Sequence, residues 1–410
     1  MRILHTSDWH LGQSFFTKSR KNEHQAFIQW LLELVKEQQV NAVIIAGDVF
    51  DSGTPPSYAR ELYNRFVVQL NSLDCTLVVL GGNHDSVSML NESKPLVECL
   101  NTHVIANTSD DLDSQIIELS CSGEIGALLC AVPFVRARDV MQSVAGSSGN
   151  EKQKQLGEAI KDHYLSLYQR AVQRRKERDI QVPIITTGHL TAMGVTKTDS
   201  ERDIYIGTLD AFAADGFPPA DYIALGHIHR PQIVAKSEHI RYCGSPIPLS
   251  FDELKSTKQV VIVEFEKEKR SDIKIIEIPI FQRMEMIKGD LTYIEKQLES
   301  YRDVTDEQPV WLAVEVEVQD FLSDLQQRVQ ALTEDLNVEV LQLRRARGQQ
   351  TQSLQQEQLE TLAELTPFDV FEKRVEHETL DSENESQRLA RIKTRFHQIV
   401  EEVENGEQSE

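Results

Sequence analysis

At 410 residues the chain is too long for one ordinary domain, and with 40% hydrophobic residues it can bury a sizeable core, which excludes global disorder. A net charge of -22 excludes a grip on nucleic acid by bulk charge, so phosphate contacts must be local or supplied by bound cations or a partner, and no apolar run of about 18 residues is present to cross a membrane. The cysteines (Cys75, Cys99, Cys121, Cys130, Cys243) form no CxxC pair and the first motif follows Met1 too closely for a secretory leader, which together predict reduced thiols and a cytoplasmic chain.

In chain order, Asn41–Ala46, Thr76–Leu80, Pro183–Thr187 and Asp221–Leu225 read as buried strands, each ending at a glycine plus a polar or charged residue. Phe27–Lys36 and Tyr58–Leu70 carry the apolar spacing of helices. Ala145–Gln155, rich in Gly, Ser and polar residues, reads as a surface loop. Strand, glycine, then polar side chain is the order expected where loops at strand ends build a site. The texture changes near residue 275. Ile276–Ile280 reads as a strand, Asp290–Tyr301 as a helix, Trp311–Val318 as a half-buried strand, Phe321–Leu336 as a helix and Asn337–Leu343 as a strand. The expected divisions are 1–275 for an α/β catalytic domain, 276–347 for a small α+β accessory domain, and 348–410 for a linker and helical tail. In the tail, Thr366-Pro367 starts a helix that places Phe368, Phe371 and Val375 on one side, and a second helix carries Leu389, Ile392, Phe396, Ile399 and Val403. These helices either pack on their own chain or dock on another.

Five motifs carry candidate chemistry: Asp8-Trp9-His10, Gly47-Asp48-Val49-Phe50-Asp51, Gly82-Asn83-His84-Asp85, Gly188-His189 and Gly226-His227-Ile228-His229. Each alone is commonplace, since Asp, Asn and Gly are at home in turns. Five in order, each at or just past a strand, with nearly all other histidines left outside, point to one shared metal site. The donors are carboxylate, imidazole and amide oxygen, with no thiolate, which suits Mn, Fe or Zn. Residues i and i+2 of an extended segment project to one side, so Asp8 and His10 can bind one ion together. The same spacing in a loop could split His227 and His229 between neighbouring ions.

The motifs resemble those of the calcineurin-like metallophosphoesterase superfamily. Together with HTSDWHLG, AGDVFDSGTPPSYAR, GGNHDS, SERDIYIGTLDAF, YIALGHIHRPQ and YCGSPIPLSFDE, the chain resembles, over nearly its whole length, the SbcD family of nuclease subunits. The resemblance implies a four-layer α-β-β-α sandwich with an α+β capping domain and a helical tail. It implies one ion held by Asp8, His10, Asp48 and His229, another by Asp48, Asn83, His189 and His227, and Mn2+ as the metal. His84 matches a non-ligand histidine that stabilises the transition state or protonates the leaving group, and Asp51 the carboxylate that orients it. Asp85 is open between a structural role in its turn and a supporting role behind the ligands. Arg60, Lys197, Arg202 and Arg230 could contact phosphate or be ordinary surface residues. The implied partners are DNA and an SbcC-like coiled-coil ATPase, whose coiled-coil base the tail helices would grip, with the chain as a dimer within a heterotetramer. The implied activities are an ATP-dependent 3'-5' exonuclease on duplex ends and an endonuclease on hairpins and single strands, in DNA repair, recombination and replication. A phosphomonoesterase or cyclic-nucleotide diesterase shares the motifs, but a small substrate needs neither accessory domain nor tail. An inactive scaffold would not need the full ligand set.

Overall fold

The computed structural model describes residues 1–140, 149–201, 211–302, 308–317 and 325–345, and residues 1–346 form one compact unit. The tail helices expected between residues 366 and 403 lie outside the described residues.

Two six-stranded sheets stack face to face. The first runs Lys269–Glu277, Gln259–Glu266, Arg2–Thr6, Ala42–Ile45, Thr76–Leu80, Thr102–Ile105. Its last four strands are parallel, and the first two form an antiparallel hairpin added to Arg2–Thr6. The second runs Gln232–Val234, Ser237–Tyr242, Tyr222–Gly226, Ile184–His189, Glu124–Cys130, Ile116–Cys121. Strand side chains alternate between faces, and here both faces are apolar. Ile3, Ile44, Val78 and Val263 of the first sheet meet Leu129, Ile185, Tyr222 and Ala224 of the second in the inner core. The other face of the first sheet, with Leu4, Val43, Ile45 and Val79, packs on helices Lys21–Gln38 and Ser57–Asn71. The other face of the second, with Leu128, Ile184 and Ile223, packs on helix Gly149–Glu177. Helix, sheet, sheet, helix is the four-layer sandwich the motifs implied.

Two local readings are corrected. The stretch 145–155 is not all loop: a 29-residue helix begins at Gly149 and buries Leu156, Ile160, Tyr164, Leu167 and Ala171 along one stripe. Its polar opening, Glu151-Lys152-Gln153-Lys154-Gln155, is built from good helix formers. The strand placed at Ile276–Ile280 lies at Lys269–Glu277 and closes the edge of the first sheet. Its alternation is diluted by Arg270, Asp272 and Lys274 because an edge strand is partly solvated.

A third sheet holds three parallel strands, Met284–Gly289, Val310–Val316 and Val338–Arg345. Helices Leu291–Glu299 and Leu325–Thr333 cross between them, and Ile294, Leu298, Val314 and Val329 fill their own small core. Asp290 caps the first helix by accepting the Tyr293 N–H at 2.8 Å. This sheet meets the sandwich through Phe15, Phe251, Met284, Trp311 and Ala313. Buried Arg20 stands at that seam: it pairs with Glu23 at 2.5 Å, donates to the Pro248 carbonyl and lies 5.1 Å over the Phe15 ring.

Candidate metal centre

Parallel strands bring their carboxyl ends to the same edge of a sheet, and every motif residue follows such an end. Asp8 and His10 follow Arg2–Thr6, Asp48 follows Ala42–Ile45, and Asn83 and His84 follow Thr76–Leu80. Strand Ile184–His189 ends on His189, and Tyr222–Gly226 leads into His227 and His229. Gly47 and Gly82 are required by close approach: a Cβ at Gly47 would collide with the His189 ring, and one at Gly82 with the Asp48 carboxylate. Asp8, His10, Asp48 and His227 adopt positive φ, at 53°, 46°, 49° and 94°. Such backbone costs of order 1–3 kcal/mol per residue and persists where the surroundings impose it, commonly at functional sites.

The structure brings all seven expected ligands together. Asp8, His10 and His229 offer donor atoms within 4.8 Å of one another, as do Asp48, His189 and His227, and also His10, Asp48 and His84. His227 and His229 fall in different groups, and Asp48 stands in two. Asn83 joins the second group, its Oδ1 lying 2.9 Å from His189 Nε2 and 3.2 Å from His227 Nδ1. All but Asn83, which is half-buried, are buried.

Hydrogen bonding fixes what each group presents. His189 Nδ1 donates to the Ala46 carbonyl at 2.9 Å, so its neutral ring turns a lone pair at Nε2 toward Asn83 Oδ1 and, at 3.2 Å, Asp48 Oδ2. Three acceptors facing one point repel unless a cation sits among them. His10 Nδ1 is held at 3.1 Å by Asp51 Oδ1, which leaves Nε2 buried and without a hydrogen-bond partner among the described residues, 3.7 Å from Asp48 Oδ2. His229 Nδ1 is held by Ser200 Oγ at 2.7 Å and Glu253 Oε1 at 3.3 Å. A ligand imidazole commonly has its second nitrogen tied to a carboxylate or carbonyl in this way. Burial alone would push the His189 pKa down, yet the Asp48 carboxylate outweighs it and lifts it to about 9. Against its own burial, Asp48 is held well below the carboxylate range by His189, with further help from His84 and His10. The pocket is therefore built to hold positive charge. Hard oxygens with borderline imidazoles, an orphaned buried nitrogen and a shared carboxylate fit a pair of divalent cations.

His84 lies at the mouth, edge-on to His10 with ring centroids 4.7 Å apart, in the wall of a cavity of about 400 Å³. Its Nδ1 donates to the main-chain carbonyl of Asp51 at 2.8 Å. The hydrogen bond that orients this ring thus comes from the Asp51 backbone, where the resemblance implied its carboxylate, and that carboxylate meets His10.

Asp85, left open by the sequence, is fully buried and ties two loops together. It accepts the N–H groups of Val49 at 3.2 Å, Phe50 at 3.0 Å and Gly82 at 2.9 Å. Burial and then the Asp48 charge push its pKa up to about 6, against those three hydrogen bonds. Asp85→Ala strands three buried donors and is expected to lower unfolding stability by about 3 kcal/mol; urea denaturation in chelator checks it.

Glu253, Lys258 and Ser200 are absent from the sequence-derived set. Glu253 is fully buried; its Oε1 faces His229 and Ser200, while Oε2 takes Lys258 Nζ at 2.5 Å and the Leu249 N–H at 3.1 Å. Lys258 Nζ also reaches Ser245 Oγ at 2.7 Å and the His229 carbonyl at 3.2 Å. A buried Lys–Glu pair behind a ligand histidine fixes that ring. Glu253→Gln is expected to weaken the affinity for one of two ions by about 10–100-fold and spare the other, as read by calorimetric titration with Mn2+. Of the candidate phosphate contacts, Arg230 is held by Asp252 at 3.3 Å, Arg60 is exposed on helix Ser57–Asn71, Lys197 is exposed with His227 in reach of its charge, and Arg202 lies outside the described residues. His5, inside the first motif, is structural: it bonds Tyr222 Oη at 2.9 Å and the Leu225 carbonyl at 3.1 Å, and burial lowers its pKa to about 3.

Comparisons agree with this geometry. The calcineurin-like phosphoesterase family matches residues 1–231, and a type 5 capsule protein repressor C-terminal domain matches residues 280–379. The SbcD subunit of the nuclease SbcCD from Escherichia coli strain K12 is 54% identical over 394 residues, 96% of this chain and 97% of the relative. The same-named protein from Bacillus subtilis is 31% identical over 79% of this chain and 81% of its own length, and that from Rhodobacter capsulatus 37% over 62% and 64%. The chain belongs to the calcineurin-like phosphoesterases and, within them, to the SbcD family of SbcCD nuclease subunits.

Proposed function

We propose that this chain is a two-metal DNA nuclease that works as the SbcD component of an SbcCD-like complex, in the cytoplasm, on duplex ends, hairpins and single strands. The convergence of Asp8, His10, His229 and Asn83, His189, His227 about a shared Asp48 supports the reading most directly. In it, Asp8, His10, Asp48 and His229 hold one ion and Asp48, Asn83, His189 and His227 the other. Mn2+ suits this donor set of oxygens and imidazoles without thiolate. When bound, two such ions neutralise phosphate charge and lower the pKa of a water.

The residues' own tasks follow from their bonds. Asp51 fixes two rings at once, His10 through its carboxylate and His84 through its carbonyl. With Nδ1 committed to that carbonyl, His84 turns Nε2 to the phosphodiester, where the imidazolium form donates to a phosphate oxygen and passes its proton to the departing sugar oxygen. Nearby Asp48 favours that protonated form. The third sheet supplies Met286, Gln342 and Arg344 to the far wall of the cavity, which suits a long substrate better than a small phosphomonoester.

The test is cleavage of linear duplex and short single-stranded DNA by the purified chain. Mn2+-dependent cleavage that stops in chelator, with no comparable hydrolysis of p-nitrophenyl phosphate, is expected; the reverse preference points to a monoesterase. The names of the relatives carry the partner: an SbcC-like ATPase, with two copies of each chain in a heterotetramer, ATP-dependent 3'-5' digestion of duplex ends, and residues 348–410 as the docking segment. Removing the chain after Ala346 is expected to preserve Mn2+-dependent cleavage of short DNA and to abolish co-elution with the ATPase on a sizing column; retained co-elution would place the contact within residues 1–346.

A further inference from the structure

We propose that Phe16 is a stacking platform for a nucleobase beside the scissile phosphate, which makes the cavity next to His84 a subsite for a nucleotide with an unpaired base. The proposal rests on the nuclease reading and adds how the substrate is held.

Phe16 is displayed at some cost. Strands Ser14–Phe15 and Lys18–Ser19 form a hairpin joined by Phe16 and Thr17, at φ 45° and 71°. Two-residue turns with positive φ favour Asn and Gly, and an aromatic followed by a β-branched residue is a poor choice for folding alone. Its neighbours Phe15 and Phe251 are 4% and 6% exposed, whereas Phe16 is 43% exposed. A ring needed only for packing would be buried as they are.

The display is rigid. Phe15 stacks on Trp311 of the third sheet, centroids 5.7 Å apart and planes 5° from parallel, and Arg20 lies over its ring. Lys18 pairs with Glu339 of the same sheet at 2.8 Å. Phe16 leans on Phe15 at 5.0 Å and Phe251 at 5.8 Å, so both sides of the hairpin are pinned before any ligand arrives. The cavity of about 400 Å³ has an apolar end formed by Phe16, Phe251 and Met286 and a polar end formed by His10, Asp51 and His84. Arg344 also lines it, a charge for a neighbouring phosphate. An apolar face a short step from a phosphate-processing end has the two-part chemistry of a nucleotide. Aromatic faces accept any base, but only one that has left its duplex stack.

The full-length chain with Mn2+ and a short single-stranded oligonucleotide provides the test. Phe16→Ala and Phe16→Leu should raise KM about 10–100-fold with a far smaller change in kcat, and Phe16→Trp should restore it. Removing the base flanking the cleaved phosphate should harm the wild type and leave Phe16→Leu almost indifferent. 2-Aminopurine at that position should be quenched on binding by wild type and not by Phe16→Leu. Unchanged KM and unchanged base discrimination in Phe16→Leu, with equal quenching, would overturn the proposal while the nuclease reading stands. A wild type that cleaves no oligonucleotide would strike the nuclease reading instead, and the quenching comparison in chelator would then decide Phe16 alone.

Discussion

Replacing Asp48 with alanine is expected to abolish cleavage and remove bound metal from both positions, not one. Among the described residues, Asp48 alone is grouped with His189 and His227 on one side and with His10 on the other. Its loss forfeits charge stabilisation of several kcal/mol, about a 10³-fold loss in rate or more. The same variant should lose metal-linked stability. Ligand at about 100 times its Kd adds about 2.7 kcal/mol per site, so Mn2+ should raise the wild-type Tm and leave that of Asp48→Ala nearly unmoved. Thermal denaturation with and without Mn2+, beside metal analysis of the dialysed protein, measures both effects. A full metal complement in the variant would contradict the shared role.

His84→Gln should separate chemistry from metal binding. The His84 backbone N–H donates to Asp48 Oδ1 at 2.9 Å and its ring is held by the Asp51 carbonyl, so glutamine leaves the loop geometry and the ligand set intact. Metal content is expected to stay near two ions per chain while turnover falls about 10²–10⁴-fold, the usual range for a proton-transfer group. A variant that loses metal in step with activity would place His84 among the ligands, as its proximity to His10 and Asp48 also allows.

Much of this was legible in the sequence because of where the donors sit. Runs such as Ala42–Ile45 and Tyr222–Gly226 are apolar on both faces since each sheet is covered twice, and a glycine plus a polar residue immediately after such a run has few structural duties. What escaped has physical reasons. Helix Gly149–Glu177 opens with a polar stretch before its first buried stripe residue, Leu156, so its amphipathic pattern starts late. Glu253 and Lys258 lie in a short turn and the segment after it, and charged residues are normally exposed, so nothing in the residue types marks them as buried supports for His229. Asp85 was ambiguous because the partners that decide its role, Val49, Phe50 and Gly82, offer only backbone N–H groups. Phe16 was invisible for the opposite reason: an aromatic in a strand is unremarkable, and only the positive φ and the exposure set it apart from Phe15.

Anomalous diffraction from crystals of the Mn2+-loaded chain tests the central claim most directly. Two peaks about 3.5–4 Å apart are expected, the usual two-metal spacing. Asp48 should lie between them, Asp8, His10 and His229 on one peak, and Asn83, His189 and His227 on the other. A single peak, or two peaks that do not share Asp48, would contradict the two-metal centre.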